Sequence, residues 1–253
     1  MHLLRTARNY FYVAAPAIPY GLISIGLGPL SDRSVSAWAM RRWFQAVCDG
    51  LGITRELQNG HLLDAHKQCI FVSNHNSLLD TPVLGSLLDG DYRWLAKSSI
   101  FHVPFIGWHL SLAGHIPVYR GKSRGRNREL PELLHEAIAQ GASLLFFPEG
   151  TRSPDAHLQP FKMGAFMTAA RENLPIVPLT IEGTETLLSK GRLDIDPHAR
   201  DKHCRVTVLE AIFPNAQLSE EDAAEQLREQ VWEAMATQLG QYDAPRISRV
   251  ASL

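Results

Sequence analysis

Cys69-Ile70-Phe71-Val72-Ser73-Asn74-His75-Asn76-Ser77-Leu78-Leu79-Asp80 reads as a buried strand that runs out into a polar loop carrying a histidine and, five residues later, a carboxylate. A short apolar run with β-branched and aromatic side chains, bounded by Asn and Ser, is the signature of a strand covered on both faces. Beyond it, Thr81 and Pro82 read as the N-cap and first turn of a helix, because Thr caps well and Pro is tolerated where its missing N–H would have no partner. The same alternation continues down the chain. Strands are expected over residues 69–73, 92–96, 115–118, 143–147, 176–181 and 205–209, with helices over 82–88, 106–113, 126–140, 164–172 and 220–239. That order predicts an α/β fold with a mostly parallel or mixed central sheet flanked by helices.

The pair His75 and Asp80 points to acid–base chemistry. On one continuous helix their side chains would lie about 140° apart, so contact between them places His75 in the loop ahead of the helix. An imidazole titrating near neutral pH takes a proton from an alcohol, and a carboxylate beside it holds the useful tautomer and stabilises the imidazolium. Spacing alone is weak evidence in a chain with 11 His and 26 acidic residues, where the plain alternative is a surface histidine beside a helix-capping Asp. Two further blocks strengthen it. In Phe147-Pro148-Glu149-Gly150-Thr151-Arg152-Ser153 an apolar strand stops at a polar turn. Ligands of α/β sheets bind where strands end in this way, Gly150 lets backbone approach a ligand, and Arg152 can grip a phosphate with two parallel hydrogen bonds. Glu149 is placed to hold that arginine or a substrate hydroxyl. In Gly114-His115-Ile116-Pro117-Val118-Tyr119-Arg120 another strand ends on a cation, at the head of a locally basic stretch over residues 120–126.

Taken together with Ile176-Val177-Pro178-Leu179, these blocks in this order resemble the glycerolipid acyltransferase family, over roughly half of the chain. The resemblance implies that His75 and Asp80 are catalytic, and that the loop of Glu149, Gly150, Thr151 and Arg152 contacts a glycerol phosphate acceptor. It implies that Arg120 binds the acceptor phosphate and that Lys97, which precedes a run of large apolar residues, faces the anionic acceptor. Lys162 is a further phosphate candidate. Pro117 and Tyr119 depart from the commoner family pattern. The implied reaction moves a fatty acyl chain from acyl carrier protein or coenzyme A thioester to the sn-2 hydroxyl of a lysophospholipid, 1-acylglycerol-3-phosphate. Another lysolipid acceptor such as a lyso-ornithine lipid, and a non-catalytic lipid-binding protein, are the alternatives. There is no Gly-x-Ser-x-Gly elbow and no cysteine in a turn suited to nucleophilic attack, so direct transfer is expected and not a covalent acyl-enzyme.

Composition narrows the rest. With 253 residues, 45% hydrophobic, 20% charged and a formal net charge of −1, the chain suits one globular domain and gives no reason to expect nucleic acid as partner. Cys48, Cys69 and Cys204 lie far apart, without zinc-type spacing, so neither metal nor resident cofactor is expected. Residues 9–31 carry no charge, although Pro16, Pro19 and Pro29 interrupt them. One membrane-spanning helix and two short pieces dipping into the bilayer both fit. Arg5 and Arg8 before the run, Arg41 and Arg42 after it, and Tyr10, Tyr12, Trp38 and Trp43 near its margins favour a membrane surface. The expected layout is a membrane-associating helical arm over 1–50, an acyltransferase domain over 51–240 and a loose tail over 241–253. With no convincing cleavable signal peptide, the expected place is the cytoplasmic face of the cell membrane.

Overall fold

The computed structural model describes residues 2–31, 33–192, 194–196, 199 and 201–243; most of the expected loose tail lies outside these. Two helices, α1 (His2–Leu27) and α2 (Ser34–Leu51), precede the first strand, β1 (Thr54–Gln58). Next come β2 (Ile70–Ser73), α3 (Asp80–Leu87), β3 (Tyr92–Lys97), α4 (Ile106–Leu112), β4 (Ile116–Val118) and α5 (Leu130–Ala139). The chain continues through β5 (Ser143–Phe146), α6 (Gly164–Glu172), β6 (Ile176–Glu182), α7 (Thr184–Leu187), β7 (His203–Val208) and α8 (Glu220–Leu239).

The strands form one seven-stranded sheet in the order β1-β7-β6-β2-β5-β3-β4, with β2 at its centre. It is mixed: β6 and β7 run antiparallel, while β2, β3, β4, β5 and β6 run parallel to one another and β1 runs parallel to β7. The carboxyl ends of β6, β2, β5, β3 and β4 therefore line one edge.

Neighbouring residues of a strand point to opposite faces, and the core divides accordingly. Phe71, Leu145, Val177 and Leu179 join α2, α3 and α4 in one apolar cluster, whereas Ile70, Val72, Leu144 and Phe146 join α5, α6 and α8 in another. The central strands are buried as far as Glu182, the partly exposed last residue of β6, which is why they read as apolar runs. Strand β1 carries no such signal, for the opposite reason. Thr54-Arg55-Glu56-Leu57-Gln58 is polar, lies at the sheet edge and is held by its ladder to β7 and by Glu56, which pairs with Arg205 at 3.2 Å.

Two other expectations are corrected, and α1 takes one of the two forms expected of it. Helix α3 starts at Asp80, with Leu79 and not Thr81 as N-cap, because the Asp80 carboxylate folds the preceding loop onto the helix start. Pro82 still falls in the first turn, where its lack of an N–H does no harm. Residues 121–129 wind as 3-10 helix, and α5 begins only at Leu130, with Pro131 in its first turn. Finally, α1 is a single helix through Pro16 and Pro19. It is docked along α2 and α4, with the Trp43 indole N–H donating to the Val13 carbonyl at 3.0 Å. Its opposite face leaves Phe11, Ile18, Leu22 and Leu27 exposed, next to exposed Leu30 and Trp38.

Candidate active site

Strand β2 delivers the chain to the middle of the carboxyl edge, and a set of side chain to backbone bonds fixes the loop beyond it. The Asn74 amide, 1% exposed, donates to the Ile181 carbonyl at 2.9 Å and accepts from the Ile181 N–H at 2.8 Å, tying the loop to β6. Ser77 Oγ donates to the Leu188 carbonyl at 2.7 Å. Between these anchors His75 is held at both backbone ends: its N–H donates to Glu149 Oε1 at 2.9 Å, and its carbonyl accepts from the Ser153 N–H at 2.7 Å.

The His75 ring then meets Asp80. Nδ1 lies 2.8 Å from Asp80 Oδ2, and the carboxylate is fully buried while the imidazole keeps 17% of its side chain exposed. Oδ2 also accepts the N–H groups of Asn76 at 2.7 Å and Ser77 at 2.8 Å, and Oδ1 accepts the Thr184 hydroxyl at 2.5 Å. With Nδ1–H donating to Asp80, the ring's lone pair sits on Nε2, which has no protein partner among the described residues. The ring is stacked on Phe147 at 4.1 Å between centroids and 19° between planes, so it cannot swing freely.

Glu149 is turned inward. At 3% exposure its carboxylate accepts His75 N–H and, at 3.3 Å, the N–H of Gln159, so its contacts are with backbone and not with Arg152. Burial pushes its carboxyl up to about 8 against the pull of those two N–H groups. Gly150 has φ of 68°, a left-handed conformation that a side chain strains, and a Cβ there would meet the Lys162 ammonium. That contact brings Lys162 over the loop. Thr151 is exposed, and Arg152, partly buried, leaves Nη1 buried without a hydrogen-bond partner.

Lys97 and Arg120 lie farther along the same edge, at the ends of β3 and β4 and both exposed. With strands about 4.8 Å apart, the end of β3 is about 10 Å from that of β2 and the end of β4 about 14 Å. The sheet thus sets His75, the Glu149–Arg152 loop, Lys97 and Arg120 in one row. Three contributors carry no signal in the sequence. Thr184 sits 104 residues from Asp80, Gln159 holds the far side of Glu149, and Phe147 reads only as the end of a strand. Nothing in their spacing signals these contacts, since each depends on how β6 and β5 flank β2.

A protein-family model described as Acyltransferase matches residues 54–182, a span that takes in β1 to β6 and every residue of the row. Curated relatives include a protein named 1-acyl-sn-glycerol-3-phosphate acyltransferase BAT2, chloroplastic, from Brassica napus, 43% identical over 130 residues, 51% of this chain and 37% of that protein. The 1-acyl-sn-glycerol-3-phosphate acyltransferase of Saccharomyces cerevisiae is 34% identical over 174 residues, 67% of this chain and 57% of that protein. The chain spans about a third to a half of the length of the first relatives it matches. A crystal structure of the 1-acyl-sn-glycerophosphate acyltransferase PlsC from Thermotoga maritima shares the fold, with a TM-score of 0.77 at 22% identity over 95% of this chain and 97% of that one. Because the family model covers half of the chain and every block from β2 to β6, this protein belongs to the Acyltransferase family.

Proposed function

We propose that the protein transfers a fatty acyl chain from a thioester, carried by acyl carrier protein or coenzyme A, to the sn-2 hydroxyl of 1-acylglycerol-3-phosphate, giving phosphatidic acid. The observation that carries the reading is the His75 imidazole, oriented by Asp80 with Nε2 free, on the same sheet edge as an arginine with a buried, unpartnered donor. Nε2 takes the proton of the acceptor hydroxyl as its oxygen attacks the thioester carbonyl, and Asp80 steadies the imidazolium. The tetrahedral intermediate collapses by breaking the C–S bond, and the imidazolium returns its proton to the departing thiolate. Arg152, Lys162, Lys97 and Arg120 hold the acceptor phosphate, a task suited to guanidinium forks. Names of relatives from a plant and a yeast, all given for this reaction, support the choice of acceptor.

The reaction takes place at a membrane surface, on the cytoplasmic face, with α1 laid into the lipid. The exposed apolar face of that helix supports this, as does its stretch Thr6–Leu27, long and apolar enough to cross a bilayer with only 17% of its most apolar window buried. The deciding assay offers labelled acyl thioester with a panel of lysolipids. Transfer to 1-acylglycerol-3-phosphate well above lysophosphatidylcholine and lyso-ornithine lipid is the expected result; transfer favouring an acceptor without phosphate, or none to any, refutes it. For the helix, deletion through Leu30 is expected to abolish flotation with liposomes and to depress activity on bilayer-embedded acceptor more than on a short-chain soluble one.

A further inference from the structure

A cavity of about 440 Å³ opens at the amino edge of the sheet, opposite the His75 row, between the start of α2 and the beginnings of β3, β4 and β5. Its volume falls in the usual range of small-ligand sites, about 300–1,000 Å³. The six residues of β3 separate the two edges by roughly 20 Å, and the cavity comes nearest to the site described above at the Trp94 ring, 6.1 Å from that of Phe147.

Two guanidiniums, Arg33 and Arg41, and two carboxylates, Asp89 and Asp91, line the cavity, and several buried donors around it have no acceptor. Arg41 Nε and Trp94 Nε1, on residues that line it, are buried with no hydrogen-bond partner. So are Nε and Nη2 of Arg93, which is 4% exposed and lies beside Arg33, another lining residue. The two guanidiniums flank Gly114 so closely that a Cβ there would be 3.2 Å from Arg33 Nε and 3.3 Å from Arg93 Nε. Buried polar groups in folded proteins are almost always satisfied, and a cluster of unsatisfied donors with adjacent like charges is the complement of an acceptor-rich anion. The nearby acids do not fill that role. Asp89 is paired with Arg41, half-exposed Asp91 reaches Arg93 Nη2 only at 3.5 Å, and Arg33 donates to the neutral Gln140 and meets no carboxylate among the described residues. Burial draws Arg93 below the ordinary arginine value, with the Asp91 carboxylate opposing that shift and the Arg33 charge adding to it.

We propose that this cavity binds the phosphate of an anionic membrane lipid, as a second site distinct from the acyl-transfer centre. Phosphate oxygens sit between Arg33, Arg41 and the Trp94 indole N–H, and one acyl chain runs along Met40, Leu88 and Trp94. A lipid, and not free phosphate, is indicated by these apolar walls and by exposed Trp38 among the lining residues, close to where α1 hands over to α2. The choice of lipid rests on the reading that α1 lies in the membrane; the recognition of phosphate does not.

The test is calorimetric titration of the full chain in a neutral detergent with dihexanoyl phosphatidylglycerol, inorganic phosphate and dihexanoylglycerol. Phosphatidylglycerol is expected to bind at least tenfold more tightly than either comparator. Arg33→Ala should weaken it tenfold or more. Gln140→Glu, an exposed change that sets a carboxylate on Arg33 and spares the fold, should do the same, while Arg152→Ala leaves it unchanged. Binding that ignores both Arg33→Ala and Gln140→Glu, or that disappears with Arg152→Ala, overturns the second site. Equal binding of inorganic phosphate overturns the lipid, and equal binding of dihexanoylglycerol overturns the phosphate. None of these outcomes depends on turnover, so failure here is separable from failure of the proposed reaction.

Discussion

His75 and His115 stand at opposite edges of the same sheet, one just beyond β2 and the other just before β4, and the protein puts the two imidazoles to opposite uses. At His75, Nδ1 faces a carboxylate, so it carries the proton and leaves the lone pair on an outward-facing Nε2. At His115, Nδ1 accepts the Trp94 backbone N–H at 2.9 Å, so the proton goes to Nε2, which points at the Met40 sulfur 2.9 Å away. Burial pushes His115 down to about 3 and His109, whose Nδ1 meets Ser24 Oγ at 2.5 Å, down to about 4. Both of these are neutral rings inside the core. In the proposed reaction His75 can serve as a base because a carboxylate takes one nitrogen and solvent or substrate reaches the other; tucked under a strand, the same side chain closes a hydrogen bond.

The largest expected effect breaks that contrast directly. His75→Ala should lower transfer by 10² to 10⁴-fold with little change in melting temperature, because it removes a general base and little packing. Asp80→Asn should be nearly as damaging, since the amide presents an N–H₂ group where three donors now converge. His115→Ala should do the reverse, destabilising by about 1–3 kcal/mol through the orphaned Trp94 N–H while the folded fraction keeps its turnover. Steady-state rates and thermal melts on the same preparations decide it; a His75→Ala enzyme within tenfold of wild type ends the proposed mechanism.

How far each histidine is legible in the sequence depends on where its partners lie. Asp80 is five residues from His75 in one loop, so the pair stands out at once. The apolar runs of β2, β5 and β6 are legible because both faces of those strands are buried, and polar β1 at the edge is not. Gly150 and Arg152 fall in a motif whose turn chemistry can be read locally. Thr184, Gln159 and the stacked Phe147 cannot be found that way, since their contacts are made only when β6 and β5 come to rest on either side of β2. Glu149 can be picked out but its partner cannot: the carboxylate serves the His75 backbone, a contact across 74 residues.

The cations sharpen the same edge. Arg152→Ala and Arg120→Ala should each weaken use of a phosphate-bearing acceptor by about 1.5–3 kcal/mol, the range for charge-assisted hydrogen bonds, and leave the response to acyl donor nearly unchanged. The difference should fade with an acceptor that lacks phosphate. If only the donor response moves, the arginines hold the thioester carrier and the assignment is reversed.

Protons give a third comparison, because the two edges should respond to pH in opposite directions. Glu149 is raised to about 8 in the folded protein by burial, so between about pH 4.5 and 8 the native state binds more protons than the unfolded chain, and stability falls as pH rises through that window. His109 and His115 are lowered, so the unfolded chain binds more protons below about pH 6.5, and stability falls as pH drops toward 4 and then 3. Each group contributes at most about 1.4 kcal/mol per pH unit. Denaturant titrations from pH 5 to 9 should show Glu149→Gln flattening the alkaline limb alone. An unchanged alkaline limb would mean that Glu149 is ionised in the fold, held by the N–H groups of His75 and Gln159.

The smallest effect tests whether the His75 edge is built as a unit. The Thr184 hydroxyl donates to Asp80 Oδ1 and touches the imidazole only through that carboxylate, so its role is to position Asp80. Thr184→Val keeps the shape of the buried side chain and removes the donor, leaving one carboxylate oxygen unsatisfied in a fully buried site. A loss of about 1 kcal/mol in transition-state stabilisation, roughly fivefold in kcat, is the expected size for a single neutral donor. Thr184→Ser, which retains the hydroxyl, should restore most of it. A purely structural role would lower stability in both variants and leave the pH profile of kcat alone, whereas a role through Asp80 shifts the acidic limb, where the His75 base is protonated, for Val and not for Ser. If neither rate nor pH profile moves in Thr184→Val, then Asp80 is sufficiently held by the N–H groups of Asn76 and Ser77, and the catalytic pair needs nothing from the start of α7.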